Sequence, residues 1–119
     1  MDKSDKPFRL QADEIRDLIP PQGWCIASDR ITVDGCHVGF MYREAPDDPD
    51  DSGWRFLAGD ESDDYANNPD NLAMYDVNTI ANYDPAIIPL LDSPEMSAFE
   101  RATDSSPFTP APFPEGGLN

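Results

Sequence analysis

Ten carboxylates stand between residues 47 and 76 (Asp47, Asp48, Asp50, Asp51, Asp60, Glu61, Asp63, Asp64, Asp70 and Asp76), against one cation, Arg55. Side chains of this kind can hold a metal, act as acid and base, or present a negative field to a basic partner. For a metal, Asp48, Asp50, Ser52 and Gly53 match the first, third, fifth and sixth positions of a calcium-binding hand. The twelfth position should be a bidentate Glu but is Gly59, and a strand is predicted where that hand needs a helix. For catalysis the residues are scarce. Acid pairs are inevitable in so acidic a chain, so a glycosidase reading from composition has no force. His37 is the only histidine and Lys3 and Lys6 the only lysines. There is no nucleophile elbow, no phosphate-cradling glycine loop and no zinc spacing of cysteines. No catalytic residue, metal ligand or cofactor is therefore predicted. A binding surface remains, because Trp54, Phe56, Leu57, Tyr65, Leu72 and Tyr75 run through the same stretch. An acidic tail lacks such anchors, so the segment reads as part of a folded domain with an anionic surface.

The formal charge of -16 is unevenly placed. Residues 1–16 balance Asp2, Asp5, Asp13 and Glu14 against Lys3, Lys6, Arg9 and Arg16. Beyond them the only strong bases are Arg30, Arg43, Arg55 and Arg101. Such a surface repels nucleic acid, whose binding needs clustered Lys or Arg, and is disfavoured at an anionic membrane. It suits a basic protein reached by electrostatic steering.

The elements that must position these residues fit one domain, since 119 residues at 39% hydrophobic composition supply a single core. The division expected is a disordered start over residues 1–9, a domain over 10–101 and a Pro-rich disordered tail over 102–119, with Pro107, Pro110, Pro112 and Pro114. Ala12, Ile15, Leu18 and Ile19 predict a short helix over 11–19, stopped by Pro20-Pro21. Asp34-Gly35 is a two-residue hairpin signal joining strands over 24–32 and 36–44. In that register Cys25 faces Glu44, about 27 Å along the strand from the turn pair of Val33 and Cys36, so no disulfide is expected. By the same register His37 is an exposed or half-exposed strand residue near the turn. Further strands are expected at 54–58 and 72–77, with turns over 59–71. A short helix over 79–83, capped by Asn78, and turns around Pro85 and Pro89 follow. Residues 96–101 fit an edge strand or a short helix. The fold class is α+β, a small antiparallel sheet of about four strands with short helices on one face.

Longer phrases carry a resemblance. Ser52-Gly53-Trp54-Arg55-Phe56-Leu57-Ala58-Gly59-Asp60-Glu61 is followed by Asn68-Pro69-Asp70-Asn71, by the run from Tyr75 to Pro85, by Ile88-Pro89-Leu90-Leu91-Asp92 and by Ser97-Ala98-Phe99-Glu100-Arg101. Upstream, Ser28 to Thr32 and Val38 to Glu44 fit as well. Over residues 24–101 the chain resembles a family of small bacterial proteins first described as a domain of unknown function and later grouped as immunity protein family thirty-three of polymorphic toxin systems. The resemblance implies an α+β domain that neutralises a toxin by binding it, and brings no catalytic residues.

Together these readings point to a non-enzymatic binder that caps a basic toxin through Asp60, Glu61, Asp63, Asp64, Tyr65 and Asp70. Trp54, Tyr65 or Tyr75 are its candidate anchors. Trp54 and Phe56 are expected in the core and Tyr65 nearer the surface, because a domain of this size needs its aromatics inside. The competing readings are a small-ligand or enzymatic pocket built on a carboxylate and Arg55, a weak calcium-binding module, and an accessory domain whose acidity only confers solubility. A monomer or weak homodimer is expected. With no signal-peptide pattern at Met1 to Arg9 and no apolar run long enough to span a bilayer, so is a cytoplasmic location.

Overall fold

The computed structural model describes residues 7–103 and 105–114. Residues 1–6 of the expected disordered start, and residues 104 and 115–119 of the expected tail, lie outside them. Among the described residues six strands form one mixed sheet, β1 (Trp24–Ser28), β2 (Phe40–Arg43), β3 (Asp51–Leu57), β4 (Leu72–Asp76), β5 (Ala98–Glu100) and β6 (Thr109–Pro110). Their order is β4-β1-β3-β2-β5-β6. Three short helices accompany them, α1 (Asp29–Thr32), α2 (Asp63–Ala66) and α3 (Val77–Tyr83). The α+β class holds, with more strands than the four expected and with β1 and β3 parallel rather than antiparallel.

The hairpin expected at Asp34-Gly35 is absent, for a local reason. Ser28 is extended and its hydroxyl accepts from the Arg30 N–H at 3.1 Å, so it caps a helical turn whose first residue is Asp29. Gly35, at φ +80, then ends that turn, with Gly35 N–H donating to Ile31 and Cys36 N–H to Arg30. The same Asp-Gly dipeptide thus stops a helix instead of joining two strands. β1 pairs with β3 and β4, and β2 with β3 and β5. Neither Cys25 nor Cys36 is in a disulfide, although the hairpin register invoked against one does not exist. His37 is exposed, in the irregular segment before β2.

The helix expected over 11–19 is a single 3-10 turn, Ala12–Glu14. Beyond it the chain extends, because α3 supplies better partners for its backbone. Asn78 and Asn82, one turn apart, receive the N–H groups of Arg16, Leu18 and Ile19 and donate to the Arg16 carbonyl. Asn78 is therefore a clamp within α3 rather than its cap, which is Asp76.

Strand alternation sorts the side chains to two faces. Cys25, Ala27, Met41, Trp54, Phe56 and Tyr75 form the core with Val77, Ile80 and Ala81 of α3 and with Ile87. Trp54 stacks on Phe56 and donates from Nε1 to the Leu91 carbonyl. Asp84 and Arg101 are paired behind this core, Asp84 also accepting from the Val38 N–H and Arg101 lying over the Phe108 ring. Within the stretch expected as a disordered tail, β6 pairs with β5, and Phe113 meets Tyr42 edge-on.

The opposite face is built around Arg55, whose residue is 2% exposed. Its guanidinium donates to both carboxylate oxygens of Asp51 at 3.0 Å, to Glu44 at 2.7 Å and to the Trp54 carbonyl, and lies over the Trp24 ring. The charge ties β1, β2 and β3 together. Asp51 in turn accepts from the N–H groups of Asp47 and Gly53. Gly53 has φ +85, and a Cβ there would lie 2.3 Å from the Glu44 carbonyl, so this corner of the Arg55 site requires glycine.

Burial works to raise the Asp51 carboxyl, but the bonds from Arg55 and from the two amides outweigh it and hold the group below the usual carboxylate range. A depressed folded pKa contributes stability that is complete above the unfolded value of about 4 and is lost as pH falls through the folded one. Urea midpoints should therefore drop below about pH 4. Asp51→Asn should cost about 3 kcal/mol at neutral pH, because it strips a buried charge of its partner, and should flatten that acid limb.

Candidate functional site

The acidic stretch does not form one surface. β3 runs through the middle of it, and its seven residues separate the two halves by about 20 Å. Asp47, Asp48 and Asp50 lie where β3 begins, and residues 60–70 lie where it ends. Because β1 is parallel to β3, and Ser28 at the end of β1 faces Leu72 at the start of β4, the connection over 58–71 crosses that end of the sheet.

That connection gathers the expected binding residues but gives them different work. Asp60 is held by Arg30, whose hydrogen bonds keep its carboxyl low. Arg30 also bonds Asp34, at 2.9 Å. Glu61 folds back to accept the N–H groups of Ala58 and Gly59 at 2.8 and 2.9 Å, which fixes the turn leaving β3. Ser62 caps α2 by accepting from the Tyr65 N–H, and this places Asp63 and Asp64 in its first turn, exposed to solvent. Tyr65 is half-buried. Burial pushes its phenol up, assisted by Asp29, Asp34 and Glu61, while the Ser28 side chain works to lower it. Asp70, also exposed, sits in the 3-10 turn Pro69–Asn71 that leads into β4. A polar groove of about 600 Å³ on the β2 side of the connection adds Glu100 to Asp60, Glu61 and Asp63.

On the other side of α2 the sheet face stays open. Ile26 and Met74 face each other across β1 and β4, and with Leu72 they floor an apolar groove of about 330 Å³ walled by Ala66 and Pro69. Met74 is 49% exposed. Sequence reading missed this groove, since only the pairing of β1 with β4 joins its two halves. The one local signal is Ile26 itself, an apolar residue that alternation places opposite the core residues Cys25 and Ala27.

Two of the three candidate anchors belong to the core: Trp54 is fully buried and Tyr75 is 8% exposed, its phenol bonded to Thr32. Burial raises the Tyr75 phenol to about 12 despite that bond. The pocket imagined around Arg55 is closed by Asp51, Glu44 and the Trp24 ring. The calcium-hand pattern is also divided, because Asp48 accepts from the Asp50 and Asp51 N–H groups while Ser52 and Gly53 stand in β3. Among the described residues no group of three or more His, Cys, Asp or Glu is placed to hold a metal ion. Nor is any helix there long and apolar enough to cross a membrane.

Electrostatically, Arg43, Arg55 and Arg101 turn inward, whereas Arg30 bonds Asp60 and Asp34 at the surface, its side chain 33% exposed. Arg43 donates to the Ser52 and Ser93 carbonyls over the Trp54 ring, and Arg30, Arg55 and Arg101 are engaged as described. Asp47, Asp48, Asp50, Asp63, Asp64, Asp70 and Asp76 are exposed. Because Arg30, Arg55 and Arg101 each pair with carboxylates, the surface field follows the net charge that composition gives.

Residues 25–110 match the model of a family described as the immunity protein Imm33 domain, and the chain belongs to that family. The match extends past residue 101 to take in β6. The family's description suggests a toxin-neutralising role. No curated protein and no solved structure matches the chain.

The geometry separates structural acids from surface acids. Glu61→Gln should lower the unfolding free energy by roughly 1 kcal/mol, because it weakens charge-assisted bonds to two backbone amides. Asp63→Asn with Asp64→Asn should leave that free energy within about 0.5 kcal/mol of the parent. Equal effects of the two changes in parallel urea titrations would contradict the assignment.

Proposed function

Starting from membership in the Imm33 family, we propose that the chain neutralises a toxin by direct binding, with the acidic end of its sheet against a basic surface of that toxin. Asp63, Asp64 and Asp70 supply the field, Asp60 and Glu61 hold the connection that carries them, and Tyr65 is the aromatic contact at its centre. The observation that supports this most is the fate of the arginines. With Arg43, Arg55 and Arg101 bonded in the interior and Arg30 held at the surface by Asp60 and Asp34, exposed carboxylates outnumber exposed cations, and such a field speeds encounter with a basic partner.

The arrangement suits binding better than chemistry. His37 is an exposed single histidine in a cleft beside Ala58 and Asp60, and the buried charges at Arg55 and Arg101 tie neighbouring elements together. An immunity protein of this kind acts by occupancy, and many toxins that attack nucleic acid have basic clefts that an anionic protein can fill.

The experiment is stopped-flow association with the toxin encoded beside this chain, at two ionic strengths. Asp63→Asn with Asp64→Asn should slow association severalfold at low salt and flatten its salt dependence. Tyr65→Ala should instead speed dissociation, at a cost on the order of 2 kcal/mol for a hot-spot aromatic. Unchanged association rates would remove the steering role of α2, and a toxin that the unaltered chain does not bind would remove the whole reading.

A further inference from the structure

We propose that the groove beside α2 receives an apolar side chain from a segment of the toxin in which Lys or Arg flanks that side chain. This inference rests on the toxin-binding reading and adds the contact at its centre. The floor is made by Ile26 and Met74, directly paired across β1 and β4, with Leu72 beside them. The core helix α3 packs on the other face of the sheet, which leaves Met74 49% exposed.

The wall is rigid before any partner arrives. α2 is capped by Ser62, the next turn by Asn68, and the Asn71 side chain donates to the Tyr65 carbonyl at 3.1 Å across the two. A groove shaped in advance avoids part of the ordering cost of binding.

Charge names the occupant. Among the described residues no carboxylate lines the groove itself, but exposed Asp64 lies in the same turn of helix as Ala66 and exposed Asp70 adjoins Pro69, so negative charge stands next to two of its wall residues. Among the described residues no Lys or Arg lines it either. An apolar centre within a charged rim is the anatomy of a specific protein interface, and the complementary segment is an aliphatic or aromatic residue between cations. A second copy of this chain would bring like charges to the same rim.

The test uses Met74→Gln, which makes the floor polar at similar size, and Ala66→Leu, which fills the groove from its wall. Thermal melts serve as the check on folding. Dissociation of the toxin should become about tenfold faster in either folded variant, with association rate and salt dependence close to the parent's. Unchanged dissociation in both variants, with Asp63→Asn and Asp64→Asn still slowing association, would overturn the groove while leaving toxin binding intact. Failure of the unaltered chain to bind the toxin would remove both. A parent that sediments as a dimer, and a Met74→Gln variant that sediments as a monomer, would assign the groove to self-association and overturn the proposal.

Discussion

A buried guanidinium is the constraint around which this sheet is arranged. Arg55 has lost its water, and a charge in that position is tolerated only when several acceptors surround it. Asp51, Glu44 and the Trp54 carbonyl supply them, and the Trp24 ring closes the site from β1. The consequences spread outward. Asp51 must turn inward at the start of β3, Glu44 must follow β2 closely enough to reach it, and Gly53 must adopt a backbone that brings the two strands together. The parallel neighbour β1 is fastened to the same charge.

This arrangement also bears on the surface. Arg101 repeats with Asp84 what Arg55 does with Asp51, a buried cation matched by a buried carboxylate. In a chain of formal charge -16 this leaves a predominantly negative surface. Like charges at the two ends of β3 are kept about 20 Å apart, beyond the screening length of roughly 8 Å at physiological salt. The acidic surface is thus tolerated by the fold, with exposed carboxylates at both ends of β3, among them those of the connection beside the apolar groove.

Strands were legible in the sequence wherever apolar residues alternate, as at Trp54 and Phe56 or at Tyr75. Their neighbours were not. Asp34-Gly35 carries the same local signal whether it closes a hairpin or ends a helix, and the decision lay upstream, in the capping hydroxyl of Ser28. The segment around Ile15 has a helical apolar pattern, yet Asn78 and Asn82 offer its backbone partners that no window of neighbouring residues contains. The site was legible as a region and not as a set of roles. Composition places Asp60, Glu61, Asp63, Asp64, Tyr65 and Asp70 on one connection but cannot tell a carboxylate that holds two amides from one that faces water. The floor of the groove depends on Ile26 meeting Met74, a pairing set by the sheet and absent from local sequence.

The central claim is that the partner meets the end of the sheet where β3 stops. Amide hydrogen exchange of the chain, alone and bound to the toxin encoded beside it, tests this directly. The account predicts added protection over residues 60–74, with the loop over 45–50 and helix α3 exchanging as in the free chain. Protection confined to the 45–50 loop or to α3 would contradict it.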